Sequence, residues 1–348
     1  MPIDETTRLL RRSSELGTPQ VENGYIHNKA SSNLKGIFGV LRPGFTKKYN
    51  FWLFSIFGFF MAFFCFARLK YLSTSVLEAE LTPGDWFWFH DGILHIGFML
   101  HLATMLPAGL LMILQFVPRI RYKFMLFHRL NGYVVIILAL IGNVTAMIIA
   151  RRAFGGDMGS QTCTGFLALA STVAMALAWW NIRCLQIDLH RAWMLRAMFW
   201  MGSIVSTRAI MPLMSIVQTA LGGYFIAWPC DEIIFILGNR EDLVMSQFPQ
   251  CLIPNGTTSG WVAVEGDLDF SNPVGLGAIF NTNFGAGLWL ALILHMIGVE
   301  IYLALTPIES ERLRKVSYER QLAAGYENPG NCGTTVSKWG DIGSNATA

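Results

Sequence analysis

Two stretches decide the fold: Arg121-Tyr-Lys-Phe-Met-Leu-Phe-His128-Arg129 and Arg183-Cys-Leu-Gln-Ile-Asp-Leu-His190-Arg191. Each has Arg, six residues, then His-Arg, and each lies between two apolar segments of helix length. A basic punctuation repeated between such segments reads as a duplicated helical hairpin. The span from Asp91 to Arg208 is then a four-helix core to which the rest of the chain is attached.

Including those on either side of these loops, six segments are long and apolar enough to cross a bilayer: Phe51 to Ala67, Gly92 to Leu114, Asn131 to Ala150, Gly165 to Ile182, Ala197 to Val217 and Asn283 to Leu305. The composition agrees. Of 348 residues, 53% are hydrophobic and only 14% charged, well below the charged share of about 25% usual in soluble domains. The expected class is an all-α, polytopic membrane helix bundle of about six transmembrane helices with a duplicated hairpin core. A net charge of +3, with the cations at segment ends, gives no reason to expect nucleic acid. The partner is the lipid bilayer.

Residues 1–50 are polar and basic, show no signal peptide, and are expected to be a disordered tail. Residues 51–305 form the bundle. Residues 306–348 are expected to be a second, mostly disordered tail. The segment 218–282 differs from everything else. It is acidic, holds Cys230 and Cys251, and carries the glycosylation pattern Asn255-Gly-Thr. Tyr224 to Leu237 is apolar enough for a re-entrant or interfacial helix, though Asp231-Glu232 argues against lipid exposure. With six spans, the basic tails and both His-Arg loops fall on one side and the acidic segment on the other. The positive-inside rule therefore places both termini in the cytosol. It places residues 218–282 on the oxidising side, where a Cys230–Cys251 disulfide persists. The expected location is an endomembrane, the endoplasmic reticulum.

Ionisable groups within apolar segments are the sharpest pointers to function, because each is costly in lipid. His101, Arg208 and His295 each lie near the middle of a segment. They read either as a catalytic or ligand pocket or as interhelical hydrogen bonds that fix packing. Asp91 and His95 lie four apart on one helix face, as a proton donor near a cavity mouth or as an interfacial cap. Glu300 ends the sixth segment. Asp231 and Glu232 become candidates if their segment folds back into the bundle. His128, Arg129, His190 and Arg191 are paired cations suited to an anionic group on a substrate, or to plain topology. No aspartate-rich diphosphate motif, P-loop or dinucleotide fingerprint is present, and the cysteine spacing fits no zinc site, so no metal is expected.

The two loops, with Phe-His128-Arg129-Leu-Asn-Gly132 and Leu-His190-Arg191-Ala-Trp193-Met194-Leu-Arg196, resemble a family of small polytopic membrane proteins of unknown function over roughly residues 90–215. The long form, with a basic tail, an acidic cysteine-bearing loop and a sixth span, resembles the fungal integral-membrane terpene cyclases of meroterpenoid clusters, the macrophorin and ascofuranone type. That resemblance implies acid-initiated cyclisation of an amphiphilic prenylated substrate, without a cofactor. Asp91 or Glu300 would be the donor, His101 and His295 would orient or accept protons, and Arg208 would tune the acid. Two other classes stay open. One is a transmembrane b-type haem protein with His101 and His295 as axial ligands. The other is a transporter built on the repeated hairpin.

Overall fold

The computed structural model describes residues 47–252 and 260–339. Contacts divide the chain after Trp52. The described part of the first unit is only the opening of helix α1 (Lys48–Arg68), and the second unit, Leu53–Ala348, holds all the other elements. The fold is an all-α polytopic membrane bundle. Six helical spans are long and apolar enough to cross a membrane: Lys48–Leu72, Gly92–Gln115, Met125–Ile149, Met158–Arg183, Ile187–Leu221 and Pro273–Ala304.

Short helices α2 (Thr74–Glu80) and α3 (Asp85–Phe89) follow α1. The two hairpins are then α4 (Gly92–Gln115) with α6 (Met125–Ile149), and α7 (Met158–Arg183) with α8 (Ile187–Met201). A short helix α5 (Pro118–Lys123) sits in the first turn. The repeat holds to the residue: His128 is the fourth residue of α6 and His190 the fourth of α8. Small residues let the helices approach, as expected where lipid supplies no hydrophobic drive. Gly142 of α6 faces Met105 of α4, and Gly285 lies against the Gly159–Ser160 backbone.

Several boundaries differ from the hydropathy reading. The fourth span begins at Met158 because Asp157 caps it, accepting the Gly159 and Ser160 amides at 3.0 and 2.9 Å. The stretch expected as a basic loop, Arg183 to Arg196, is mostly helix. Nothing between Ile187 and Met201 breaks a helix, and α8 stops only at Gly202, where α9 (Ser203–Leu221) continues the span.

The segment expected to hold an interfacial helix instead opens with a strand. β1 (Phe225–Pro229) pairs antiparallel with β2 (Trp261–Glu265), Phe225 opposite Glu265. Their alternating Ile226, Trp228 and Val262, Val264 give one buried face. Helices α10 (Cys230–Ile236) and α11 (Glu241–Gln247) complete a small core of Trp228, Ile233, Val244 and Val264. That core packs on Val274 and Ala278 of α12 (Pro273–Ala304). Cys230 and Cys251 are joined by a disulfide that closes a separation of 21 residues. Chain entropy assigns such a loop about 3 kcal/mol. Cys251→Ser is expected to lower the melting temperature of the detergent-purified protein, read by intrinsic tryptophan fluorescence. An unchanged melt would show that the loop's core suffices without the bridge.

The second tail is not disordered across its described residues. Helix α13 (Pro307–Ala323) packs on α8, and the chain continues to a last turn, α14 (Val336–Trp339). Leu313, Ser317 and Gln321, four apart, form a buried stripe hidden within a charged sequence. Ser317 accepts the Ile187 amide at 2.8 Å, and Gln321 donates to the Cys184 carbonyl at 2.8 Å. Thr334 is held by the Asn181 side chain. Asn255 lies outside the described residues.

Candidate functional site

At the end of the bundle that carries the disulfide, three connections and two spans converge on two buried carboxyls. Asp85, the first residue of α3, is 4% exposed, and Glu232 of α10 is 3% exposed. Gly84 and Gly277 permit the approach. A Cβ on Gly84 would lie 2.5 Å from Glu232 Oε1, and one on Gly277 would collide with the Pro83 carbonyl and Trp228. Gly84 also takes φ +97, which only glycine adopts readily.

Asp85 Oδ1 accepts the backbone N–H of Phe154 at 3.1 Å. Phe154 itself is held at φ 50, ψ 51, a left-handed conformation that costs a non-glycine residue about 1–2 kcal/mol. Its ring stacks on Phe284 at 4.3 Å, and the Arg208 guanidinium sits 4.7 Å from the Phe154 ring centre and 5.6 Å from that of Phe284. Strain, an amide aimed at a carboxyl, and a cation on an aromatic face thus meet in one residue. Glu232 Oε2 accepts Trp88 Nε1–H at 3.0 Å, and Arg152 lies 3.5 Å over the same Trp88 ring. Among the described residues, buried Arg208 Nε, Trp228 Nε1 and Asn281 Oδ1 around this site have no protein partner.

Burial pushes Asp85 up to about 7. The Phe154 amide opposes this, the Glu232 charge adds to it, and Arg208 and Thr82 oppose it. Burial likewise raises Glu232 to about 7 against the Trp88 hydrogen bond and the Arg152 charge. These acids hold their protons into the neutral range when folded and lose them near pH 4 when unfolded. Between those values the native state binds more protons, so stability falls as pH rises. The melting temperature is therefore expected to be higher at pH 5 than at pH 7.5. Asp85→Asn with Glu232→Gln should flatten that slope; an equal slope in the double variant would place its origin elsewhere.

Beside this site runs an aromatic groove of about 690 Å³, lined by Phe60, Phe63, Phe64, Phe66, Tyr71 and Arg208 among others. Arg208 lines this groove and its charge acts on Asp85.

Of the residues singled out in the sequence, Arg208 is in this site and Glu232 joins it because its segment does fold back. The structure places the others elsewhere. Asp91 holds the N-cap position of α4 without a side-chain cap bond, its side chain 80% exposed and 3.6 Å from His90. His95 bonds the Phe89 carbonyl through Nδ1 at 2.8 Å. Glu300 is held by Arg196 at 2.6 and 2.9 Å and is half-exposed. His101 lies against the Gly142 carbonyl at 3.0 Å, tying α4 to α6. His295 has its two ring nitrogens engaged, Nδ1 with the Phe199 carbonyl at 2.6 Å and Nε2 with the Ser206 hydroxyl at 2.7 Å. A neutral ring there donates from Nδ1 and accepts at Nε2, leaving no lone pair for an iron. His101, by contrast, is engaged through Nδ1. His128, His190 and Arg191 gather at the opposite, basic end, with exposed Arg129 at the edge. Sequence reasoning missed Asp85 and Phe154. The usable signal was the Pro83-Gly84-Asp85 turn directly before Trp-Phe-Trp-Phe, an acid beside a glycine and an aromatic run.

Residues 98–228 match the model of a family described as "Predicted membrane protein (DUF2306)". The chain is similar to the Ava biosynthesis cluster protein G of Aspergillus versicolor, 26% identical over 331 residues, which cover 80% of this chain and 93% of that protein. No solved structure matches. The family match contains most of the first hairpin and all of the second, with Arg152, Phe154 and Arg208, whereas Asp85 and Glu232 come from the segments that flank it.

Proposed function

We propose that the chain is an integral-membrane terpene cyclase that acts by acid-initiated ring closure on a prenylated phenolic, meroterpenoid-type intermediate of fungal secondary metabolism. The observation that carries this reading is the Asp85 carboxyl. It is buried, bonded to the Phe154 amide and raised to about 7, and Arg208, whose charge acts on it, lines an apolar groove. A carboxyl kept neutral near pH 7 is what a general acid requires. The similarity to a protein named for a biosynthetic cluster supports a biosynthetic setting.

The prenyl chain lies along the phenylalanine-lined groove, which a substrate dissolved in the bilayer reaches from the side. With the Arg208 side chain displaced, Asp85 gives its proton to the terminal alkene carbon, or to an epoxide oxygen with cleavage of the C–O bond. The cation that forms is closed by an internal alkene, and a carbon-bound proton is lost at the end. The Phe60, Phe63, Phe64 and Phe66 rings that line the groove stabilise positive charge. Glu232 is a positioning residue: where it ionises, near pH 7, its charge raises Asp85 further. Atoms balance, so substrate and product are isomers, and no cofactor enters. The membrane is the endoplasmic reticulum, with both tails cytosolic and the acid site on the lumenal side.

Microsomes carrying the protein, incubated with a farnesylated phenol and with its terminal epoxide, should yield a cyclised product of unchanged mass. A product heavier by water, or none from either substrate, would overturn the reading.

A further inference from the structure

At the basic end of the bundle the repeated motif brings two arginines and two histidines together. Arg121 and His128 come from the first hairpin, His190 and Arg191 from the second. His128 is within electrostatic reach of Arg121 and of His190, and Arg121 within reach of Arg191. Among the described residues none of the four forms an ion pair. The carboxylate that acts on Arg121, Glu309, is bonded instead to Arg312 at 2.7 and 2.8 Å.

The four differ in how far the protein satisfies them. His190 is fixed by the Ala178 carbonyl at 2.9 Å. Arg191 donates to Thr306 at 3.0 Å, reaches Ser310 at 3.4 Å and lies over the Tyr302 ring. Arg121 Nε and His128 Nδ1 are buried with no protein partner. A buried guanidinium N–H left unbonded costs free energy that a bound acceptor recovers. Plain topology needs neither the histidines nor the burial, because exposed Arg119, Lys123 and Arg129 already supply positive charge at this end.

We propose that Arg121, His128, His190 and Arg191 form a binding site for a phosphate-bearing ligand, distinct from the acid site at the opposite end. A phosphate group offers the acceptor oxygens and multiple charge that paired guanidinium and imidazole groups match. The same chemistry has two sources, a phospholipid headgroup of the adjacent leaflet or a free phosphate or diphosphate. The site is independent of the cyclase reading, since its test reads binding and not product.

The test uses the full chain in nanodiscs. One arm titrates inorganic phosphate and pyrophosphate into phosphatidylcholine discs and follows the melting temperature and microscale thermophoresis. The other compares discs containing phosphatidic acid with phosphatidylcholine alone, and counts retained lipids by native mass spectrometry. Binding in either arm is expected, weakened at least tenfold by Arg121→Gln and by His128→Gln, while Arg129→Gln changes it little. Binding in the first arm assigns a soluble phosphate and in the second a lipid. If Arg121→Gln does not fold, His128→Gln carries the comparison. No binding in either arm, or equal loss with Arg129→Gln, would overturn the site.

Discussion

Asp85→Asn should reduce formation of the cyclised product by about two to four orders of magnitude, the range general acid catalysis supplies. Asparagine keeps the shape and still accepts the Phe154 amide through its carbonyl, so the turn at Gly84 and the strained Phe154 conformation stay in place. What it lacks is an acidic proton. It also removes a buried group that ionises, so the variant should melt no lower than the parent at pH 7.5, which separates lost chemistry from lost folding. Asp91→Asn is the matched control, because that carboxyl is exposed and makes no cap bond to α4. Product levels from Asp91→Asn should be near those of the parent. Equal losses in the two variants would deny Asp85 its special place.

The second large effect is on the pH profile. If a protonated Asp85 is the active species, kcat/KM falls about tenfold per unit once pH exceeds about 7. The Glu232 charge is one of the causes that raise Asp85. Glu232→Gln removes it, so the Asp85 pKa drops and the falling limb moves to lower pH. Activity at pH 7.5 should then decline severalfold and recover on acidification to pH 6. A merely structural defect would lower the whole profile without moving it, and that outcome would remove Glu232 from its positioning role.

The spans were legible because a bilayer imposes length and apolarity on every crossing segment. The hairpin duplication was legible because Arg, a gap of the same length and His-Arg recur in both basic turns. Helix ends were less so. Caps such as Asp157 and Asn272 extend helices into polar sequence, and α8 continues straight through a basic stretch. The described tail was misjudged because the few uncharged residues that bury it, Leu313, Ser317 and Gln321, are invisible in composition. The site divides the same way. Arg208 stands out in sequence because a guanidinium within a span demands a reason. Asp85 does not, since an acid between spans reads as solvated. What buries it arrives from far along the chain: Phe154 lies 69 residues away, and Glu232 comes from beyond the fifth span. Glu232 was conditional on its segment folding back, and the strand β1 that turns the chain inward is what meets that condition.

The decisive measurement is the reaction of a farnesylated phenol with a plain terminal alkene in deuterium oxide, read by mass spectrometry and NMR. A cyclised product carrying one deuterium on carbon is expected, delivered by the exchanged Asp85 carboxyl and balanced by loss of one substrate hydrogen. Asp85→Asn should give none of it. A cyclised product without carbon-bound deuterium, or a deuterated one formed equally well by Asp85→Asn, would rule out acid initiation by this residue.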